Sequence, residues 1–582
     1  MITLAATSSR ARRTFEVSRD WLASGRRQAI VALLLYTAIT IVYFGGLYVL
    51  PHLGSTCVCT GGGGDVSAYM WNQAWWPHAL LHGMNPFYTT ALFAPHRLIL
   101  GGQAAMSPLA AILFSPITLL FGTVVSYNVW MLVSPPLAAF FTFLLCRYVS
   151  RNFAASLFGG YVFAFSPYML LHGMAHANLV FIFMIPAAVH LTLRLIDGRI
   201  SHRRFIVLMA LALAGLAYTS TEPALTFVVL GAVALALAFV LVPSARPRLL
   251  AAAKPFLASG VLAVLLTAPV LYYAFKGNAA VPTTGNGDLY AGDALGFLVP
   301  SPLLRLGRNY FAALSTAFGG GAILSEGSVT YVGVPLALIA AMYVINRWRQ
   351  PATRFLAAIL AVVVVFILGS HLRIAGYPTI PLPWKLFEGT ILGEALPSRL
   401  ALYMFLIIAV IAALWLAQAR TGRETVVKWA LAAASIAFLV PNLSVAYWHG
   451  PVDNPPFFAT NQYRTVLKPN DIVLALPYGP FGSSMFWQAE TGMWFRMTSG
   501  YLGRKFPEDY LTDPLWPALL GEASPRPALV RSFIARRHVD AVILETGTSP
   551  HWNPTLAAQW TTTLAAIGLK PRSLGGILYF RT

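Results

Sequence analysis

Charged residues are scarce in this sequence. Only 10% of its 582 residues are Asp, Glu, Lys or Arg, and 57% are hydrophobic. A soluble domain of ordinary composition carries roughly 25% charged residues. The apolar residues form many runs of roughly 17–25 residues, the length an α-helix needs to cross a bilayer. This shortage of charge argues against a soluble enzyme and predicts a polytopic α-helical membrane protein.

Acidic residues are rarer than basic ones. There are 20 Asp and Glu against 40 Lys and Arg, which gives a formal net charge of +20. The basic excess lies in an N-terminal cluster and in short loops between apolar runs, and no basic face of a soluble module is visible. That distribution is typical of cytoplasmic loops under the positive-inside rule. It argues against a nucleic acid partner.

Cysteine is also rare. Cys57, Cys59 and Cys146 are too few to indicate a disulfide framework. Because a single residue separates Cys57 from Cys59, we do not expect a relaxed bridge between them. Two thiols alone also make a poor metal site. The sequence therefore predicts three structural or incidental cysteines.

Twelve apolar segments are candidate membrane helices, but the basic loops restrict how many of them cross. All of those loops fall on the cytoplasmic side only if the short segment 107–122 enters and leaves on the same side. This predicts about eleven crossings plus a re-entrant segment, with a retained signal anchor near 30–50, the N-terminus inside and the C-terminus outside. The candidate segments are 29–50, 107–122, 124–147, 153–170, 177–195, 204–220, 223–243, 254–275, 330–346, 354–370, 398–417 and 427–447.

The chain divides into three predicted regions. A basic cytoplasmic N-terminus (1–28) precedes a transmembrane domain (29–450), and an extracytoplasmic α/β domain (451–582) follows. The last is predicted from the strand-like segments DIVLALPYG, HVDAVILET and GILYFRT and from a helix at RPALVRSFIARR. Since long loops in compact folds tend to be functional, we expect the site among the large outer loops. Those loops are 51–106, 276–329 and 371–397.

The first outer loop contains TGGGGDVSAYMWNQAWW, residues 60–76. Asp65 stands before a helix-like segment, where it can serve as a helix cap. Along that helix Trp71, Trp75, His78 and His82 recur on one face, a stripe that either contacts substrate or anchors the helix at the membrane interface. The two histidines have the spacing of a metal pair, but no third ligand is evident nearby, so polar interfacial residues are favoured.

Other acids are predicted at the same face. Glu222, in TSTEPALTF, lies at the boundary of two apolar runs. An ionisable group at that depth is costly and indicates function, although it can also reach headgroup water. Asp288, Asp293 and Glu326 could hold hydroxyl groups of a substrate or a divalent cation, Mg²⁺ or Mn²⁺. The alternative is that they cap loops and turns.

Several segments resemble membrane glycosyltransferases of the GT-C superfamily. They are GDVSAYMWNQAWWPHALLHGMNPFYTTALFAPH, VVSYNVWMLVSPPLAAFFTFLLCRYVSR, FAFSPYMLLHGMAHANL, TSTEPAL and ALPSRLALYM. The resemblance implies transfer of a sugar from a polyprenyl-phosphate donor to a glycan, lipid or protein acceptor at the outer face of a bacterial plasma membrane. Better-known members carry paired acids after the first helix. Here Asp65 stands alone, which leaves a metal requirement open.

The resemblance also implies roles for particular residues. Asp65 would take the proton from the acceptor hydroxyl. Arg399 would offer a bidentate fork to the lipid phosphate, with His172 and His176 beside it. These histidines could equally just end two helices.

Two other functions are compatible with the sequence: a flippase for lipid-linked sugars and a non-catalytic scaffold for envelope assembly. The acids gather at one face and no internal repeat is visible, which counts against transport. Because Asp65 lacks the second acid found in better-known GT-C members, a non-catalytic scaffold stays an open alternative.

Overall fold

The computed structural model describes residues 25–582, apart from 62, 102, 104–105, 278–285, 308–310, 319–325, 419–421, 444–446, 504–505, 547–551 and 553. Most of the predicted N-terminal region, 1–28, therefore lies outside the described residues. The described chain is mainly helical up to about residue 440, and a mixed sheet with short helices follows.

The first 440 residues contain the longer helices, and most of these lie where the apolar runs predict them. They are α1 (Gly25–Tyr43), α2 (Gly64–Leu81), α3 (Thr123–Ser150), α4 (Phe153–Ala164), α5 (Met184–Ile196), α6 (His202–Thr219), α7 (Thr221–Leu241), α8 (Arg246–Lys276), α9 (Val334–Arg347), α10 (Pro351–Ile367), α11 (Ala401–Leu416) and α12 (Gly422–Leu439).

Within the described residues, six helical stretches are long and apolar enough to cross a membrane. They are Gly25–Tyr43, Thr123–Ser150, Ala177–Ile196, Thr221–Leu241, Pro243–Lys276 and Pro397–Leu416. Three shorter apolar helices, α4, α9 and α10, accompany them. The chain is therefore a multi-pass membrane protein, while the count of eleven crossings stays a prediction.

The segment predicted to be re-entrant is broken into two short helices, Pro108–Leu113 and Ser115–Phe121. At 1.5 Å per residue each is only about 10 Å long, against a hydrocarbon core of about 30 Å. Pro116 stands in the first turn of the second helix, where its missing N–H costs nothing. Neither helix is long enough to cross alone, as a re-entrant segment requires.

The expectation for Cys57 and Cys59 was wrong, because the structure joins them in a disulfide. Their Cα atoms are 5.3 Å apart, within the range that a bridge accepts. The segment Thr56–Cys57 pairs antiparallel with Gly450–Pro451, and the side chain of Asn128 accepts from the backbone N–H of Val58 at 2.9 Å. The disulfide thus joins the residues on either side of Val58, and the strand pairing and Asn128 attach this turn to the rest of the fold. Cys146 is a free, buried thiol.

The long loops meet at one end of the helical bundle. The backbone N–H of Ala294 donates to the carbonyl of Arg373 (2.9 Å), and that of Ser398 donates to the carbonyl of Tyr290 (3.0 Å). Loops from 276–329 and 371–397 therefore form one layer. Shorter elements in this layer and in the first loop are Thr56–Cys57, Tyr88–Thr89, Leu98–Ile99, Asn286–Leu289, Ala312–Phe318, His371–Ile374 and Tyr377–Pro381.

The last part of the chain forms a five-stranded mixed sheet. Its strands are β1 (Ile472–Leu476), β2 (Arg496–Met497), β3 (Ala541–Glu545), β4 (Arg572–Leu574) and β5 (Ile577–Arg581), in the order β4-β5-β3-β1-β2. The strand β1 runs parallel to β2 and β3, and β5 runs antiparallel to β3. The strands β1, β3 and β5 and the helix Pro527–Arg537 lie where the sequence predicts them. Further helices are Ser484–Glu490 and Pro554–Ala566.

A buried carboxyl pair lies at the end of β3. Glu545 is 5% exposed and is hydrogen-bonded to Asp453, which also contacts Ser483. Burial, reinforced by the neighbouring charge of Asp453, raises the pKa of Glu545 to about 7. A glutamate in an unfolded chain ionises near about 4.3, so the folded chain binds more protons between these two values. Stability is therefore lost as the pH rises through this window.

Replacing Glu545 by Gln should remove this loss, because the amide keeps a donor for Asp453 and carries no charge. We expect the variant to melt at least ~2 °C above wild type at pH 8. The difference should disappear below about pH 4.3, where the wild-type carboxyls are protonated in both states. The measurement is the apparent Tm of purified protein in detergent across this range. Glu522→Gln, at an exposed glutamate, is the control, and equal Tm values for wild type and Glu545→Gln at pH 8 would contradict the assignment.

Candidate active site

The acid of the first loop lies inside the first turn of α2 and is not its cap. Gly63 is the N-cap residue, and no side-chain hydrogen bond caps this helix. The cap interpretation of Asp65 is therefore wrong: the glycine-rich segment lets the helix begin one residue before the acid. An acid in the first turn still interacts favourably with the helix dipole. The carboxylate itself points to other partners.

Two donors from distant parts of the chain hold the carboxylate of Asp65. The Nε2 atom of His176 lies 3.1 Å from its Oδ2 atom, and the side chain of Tyr501 forms a second hydrogen bond. Burial opposes ionisation of this carboxyl. The hydrogen bond and charge of His176, the charge of Arg399 and the Tyr501 bond outweigh it and lower the pKa of Asp65. The side chain is 24% exposed, so a charged carboxylate is presented at an accessible position.

The loop before Asp65 is fixed by short contacts. The side chain of Asn128, in α3, donates to the carbonyls of Leu53 (3.0 Å) and Thr56 (2.8 Å). The backbone N–H of Thr60 donates to the carbonyl of Met174 at 3.2 Å. These bonds connect the loop to α3 and to the segment that carries the two histidines. The approach of Asp65 to His176 follows from this arrangement.

A second group of charges is centred on Arg399. Its Nη1 atom lies 2.5 Å from Glu222, and its Nη2 and Nε atoms lie 2.6 and 3.0 Å from one oxygen of Glu326. The other oxygen of Glu222 accepts the backbone N–H of Leu396 at 2.8 Å. Burial opposes ionisation of Glu326, but the charge of Arg399, with the contact to His172, holds the pKa of this acid well below its usual range. One guanidinium thus bridges two carboxylates, with two of its N–H groups on a single oxygen of Glu326 and a third on Glu222.

His172 connects this group to the histidine of Asp65. Its Nδ1 atom lies 2.7 Å from the carbonyl of Tyr168 and its Nε2 atom lies 3.2 Å from Glu326. Both neighbours are acceptors, so both contacts are hydrogen bonds only when the ring is protonated. Burial lowers the pKa of His172, against the attraction of Glu326. The rings of His172 and His176 are 5.5 Å apart.

Each charged group lies at or beside the end of a helix. Asp65 opens α2, Glu222 lies in the first turn of α7, and Arg399 lies in the turn Pro397–Leu400 that leads into α11. Glu326 begins the turn Glu326–Thr330 ahead of α9, and His172 ends the short helix Pro167–His172. These positions at helix ends bring the five side chains, with His176, into one connected cluster.

The predicted phosphate ligands are already engaged. Three N–H groups of Arg399 point at Glu222 and Glu326, and His172 is fully buried. His176 differs, since its side chain is 28% exposed, although its Nδ1 atom is buried and has no hydrogen-bond partner among the described residues. Of the three predicted ligands, His176 is the one that keeps a ring nitrogen without a partner within those residues.

The arrangement does not fit a divalent cation as it stands. Arg399 occupies the position between Glu222 and Glu326 that a metal shared by the two acids would need. Asp65 is directed to His176 and Tyr501. Within the described ranges no cluster of three or more His, Cys, Asp and Glu has metal-binding geometry. An Mg²⁺ or Mn²⁺ ion would have to displace the guanidinium.

Four polar residues at or beside the site, Tyr69, Asn178, Ser220 and Tyr501, were not predicted from the sequence. The hydroxyl of Tyr69 donates to Asn178 at 2.5 Å, and the Asn178 amide donates to Ser220 at 3.3 Å. This buried chain of hydrogen bonds runs from α2 to the start of α7. Asn178 could have been noticed as an amide inside an apolar run. Tyr501 carries no such signal, because it lies more than 400 residues after Asp65 in an ordinary aromatic stretch.

The aromatic stripe of α2 does not line the site, which corrects the prediction that it binds substrate. Trp71 and Trp75 are 0% and 4% exposed, and their indole N–H groups donate to Gln488 and to the carbonyl of Pro86. The rings of His78 and His82 lie against each other at a tilt at the far end of α2, about 20 Å along the axis from Asp65. His78 is half-buried and His82 is exposed. The two tryptophans pack α2 against its neighbours, and Trp71 does so against Gln488 of the C-terminal region.

Asp288 and Asp293 take the loop-stabilising roles that the sequence offered as the alternative. Asp288 contacts the Nδ1 atom of His371 at 2.8 Å and accepts its backbone N–H. Asp293 is fully buried and accepts backbone N–H groups from Leu295, Ala375 and Gly376. Both acids order the loop layer instead of presenting free carboxylates to a ligand.

The fold is that of known membrane glycosyltransferases. Oligosaccharyltransferase AglB from Archaeoglobus fulgidus, solved with an inhibitory peptide and a dolichol-phosphate, matches with a TM-score of 0.54 at 12% identity over 95% of this chain and 74% of its own. Arabinofuranosyltransferase AftD from Mycobacteria gives 0.54 at 15% identity over 96% of this chain and 42% of its own. ArnT from Cupriavidus metallidurans gives 0.51 at 12% identity over 94% and 97%. The predicted GT-C fold is thus confirmed.

Sequence comparison is less informative about activity. No curated protein matches this chain. Residues 32–390 match the family DUF6311, described as a domain of unknown function. That match covers more than half of the chain and includes Asp65, both site histidines, Glu222 and Glu326, whereas Arg399 and Tyr501 lie beyond it. The chain therefore belongs to the DUF6311 family and has the fold of GT-C membrane glycosyltransferases.

Proposed function

We propose that this protein transfers a sugar from a polyprenyl-phosphate donor to a glycan, lipid or protein acceptor at the outer face of a bacterial plasma membrane. The observation that carries the proposal is the partly exposed carboxylate of Asp65, held by two donors beside a partly buried charge network. The fold neighbours support the choice of donor. The solved AglB complex holds a dolichol-phosphate, and a second ArnT structure holds undecaprenyl phosphate.

In this mechanism Asp65 accepts the proton of the acceptor hydroxyl while the oxygen attacks the anomeric carbon. The carbon–phosphate oxygen bond breaks, and the lipid phosphate leaves with its electron pair. A carboxylate of lowered pKa is a weak base, so proton transfer is expected late, when the attacking oxygen has become acidic. The same lowered pKa keeps the base ionised over the neutral range. The reaction inverts the anomeric centre in one displacement.

The remaining groups would position the base and receive the phosphate. When both ring nitrogens carry a proton, His176 can donate from Nδ1, which is buried and has no other partner among the described residues, to a phosphate oxygen that reaches it, while Nε2 donates to Asp65. Arg399 and His172, first predicted as phosphate ligands, would serve by holding Glu326 and Glu222. The mechanism is proposed without a metal ion, because the guanidinium occupies the position between Glu222 and Glu326 that a bridging cation would need. The outer-face location of this site and of the C-terminal domain is part of the proposal.

The direct test is sugar transfer by purified full-length protein in vesicles, with a panel of labelled polyprenyl-phosphate sugars. Wild type should transfer or slowly hydrolyse at least one donor, and Asp65→Asn should reduce the rate at least about 100-fold because the amide cannot accept a proton. Asp197→Asn is the matched control, since that carboxylate bonds Tyr148 at the opposite end of α5. Equal turnover by wild type and Asp65→Asn would contradict the proposal.

Exchange of an unmodified donor between leaflets, without transfer, would instead favour a flippase. Donor binding without either transfer or exchange would favour a scaffold. Both outcomes are read in the same vesicles, which keeps the three hypotheses separable.

A second prediction concerns Arg399. Replacing it by Ala leaves the partly buried carboxylates of Glu222 and Glu326 uncompensated, and we expect a loss of about 3 kcal/mol in folding free energy, the lower end of the cost of breaking a buried ion pair. Glu326→Gln combined with Arg399→Gln should recover part of the lost Tm, because the removed charges oppose each other. The measurement is the apparent Tm in detergent.

The same network predicts how transfer responds to chelation. Wild-type turnover should be unchanged in EDTA, since Arg399 occupies the position of a bridging cation. Loss of turnover in EDTA with recovery by Mg²⁺ or Mn²⁺ would overturn the metal-free mechanism.

A further inference from the structure

The helix that carries Asp65 is attached to the C-terminal sheet region. The side chain of Gln488 accepts from the indole N–H of Trp71 (2.6 Å) and donates to the carbonyls of Ala91 and Phe495. All of these groups are buried. Trp71 lies on the same helix as Asp65, six residues further along, so the orientation of α2 depends on a residue of the C-terminal region.

The first loop continues this attachment as an extra strand-like segment. The backbone N–H groups of Ala94 and Phe93 donate to the carbonyls of Met497 (2.8 Å) and Ser499 (3.2 Å). The N–H of Met497 donates back to the carbonyl of Ala91 at 2.8 Å. The segment 91–94 therefore runs beside β2 and the residues that follow it. The pairing ends at Ser499, two residues before Tyr501.

A third contact lies at the start of α2. A Cβ atom placed on Gly63 would lie 3.7 Å from the carbonyl oxygen of Gly482. The turn after β1 therefore approaches the loop that carries Asp65. The C-terminal region contacts α2 at its first turn, at its middle and through the loop beyond it.

Tyr501 lies at the end of this interface and reaches the carboxylate of Asp65. Its backbone N–H contacts the sulfur of Met485 at 3.1 Å, which places its own chain segment against the helix Ser484–Glu490. The carboxylate thus has one donor from the membrane domain, His176, and one from the C-terminal region. The other ionisable groups near Asp65 are Arg399, Tyr69 and Tyr127.

We propose that Tyr501 is a positioning residue for the catalytic base, supplied to the active site by the C-terminal region. This inference rests on the proposed function. The phenol O–H fixes one side of the Asp65 carboxylate, His176 fixes another, and the remaining lone pairs stay available for the acceptor hydroxyl. The base is then correctly oriented only when the C-terminal region is docked on the first loop.

Removing the hydroxyl should alter catalysis in a direction that can be worked out. The Tyr501 bond stabilises the ionised carboxylate, so Tyr501→Phe must raise the pKa of Asp65. The acid limb of the kcat profile should therefore move to higher pH. We expect kcat to fall roughly 10-fold, the effect of one hydrogen bond to a charged group, with little change in KM.

The experiment compares full-length wild type, Tyr501→Phe and Tyr510→Phe with the donor that the panel identifies. Tyr510 is the matched control, because its hydroxyl crosses the same interface but donates to the backbone carbonyl of Ala94 at 2.8 Å. Tyr510→Phe should keep the wild-type acid limb even if its Tm falls. A Tyr501→Phe profile that superimposes on wild type, or a kcat loss with an unmoved acid limb, would overturn the inference.

An independent arm separates this inference from the proposed function. If no donor is turned over by wild type, the proposed function fails, but the contact can still be measured by melting. Ionised Asp65 stabilises the fold above its unfolded pKa, and this stability is lost as the pH falls through the lower folded pKa. In Tyr501→Phe the loss should begin at higher pH than in wild type. In an Asp65→Asn background the two proteins should show the same pH dependence, and a persisting difference would overturn the assignment.

Discussion

One partly buried guanidinium sets the geometry on which the rest of this site depends. Arg399 joins Glu222, 177 positions away, to Glu326, 73 positions away. In a low-dielectric setting each of these charges is costly alone and tolerable only with its partners. Arg399 therefore holds three elements next to one another: the start of α7, the start of α11 and the turn before α9. His172 contacts Glu326, the ring of His176 lies beside that of His172, and His176 in turn contacts Asp65.

The site is also composite. The membrane domain supplies the histidines, the glutamates and Arg399, and the C-terminal region supplies Tyr501 and the contacts that orient α2. Gln488 orients α2 through its side-chain amide, which forms hydrogen bonds with Trp71 and with two backbone carbonyls. The disulfide of Cys57 and Cys59, with Asn128, holds the loop just before the acid. A carboxylate that directly follows a glycine-rich segment is thus given a defined orientation from outside its own helix.

The shared fold leaves the substrate undetermined. The matched structures include an oligosaccharyltransferase and an arabinofuranosyltransferase, so one helical framework serves different chemistries. In this chain the acids are bridged by an arginine, and that is a property of particular residues and not of the framework. The identity of the donor and acceptor is therefore to be inferred from residues of the site, such as Asp65, His176 and Tyr501, and not from the fold.

The sequence by itself determined the multi-pass membrane character, the main helices and several strands, because apolar run length and alternation depend on local chemistry. It also singled out Glu222, because an ionisable group at the boundary of two apolar runs is costly, and Asp65 and Arg399, because the motifs around them resemble those of GT-C enzymes. Glu326 was one of several acids predicted in the outer loops. Only the tertiary structure decided the partners. Trp71 and Trp75 proved to be core, Asp293 a loop cap, and Cys57 and Cys59 a disulfide, since each outcome depends on what covers a residue from elsewhere in the chain. Tyr501 was invisible for the same reason, because sequence distance carries no information about a contact made through a docked domain.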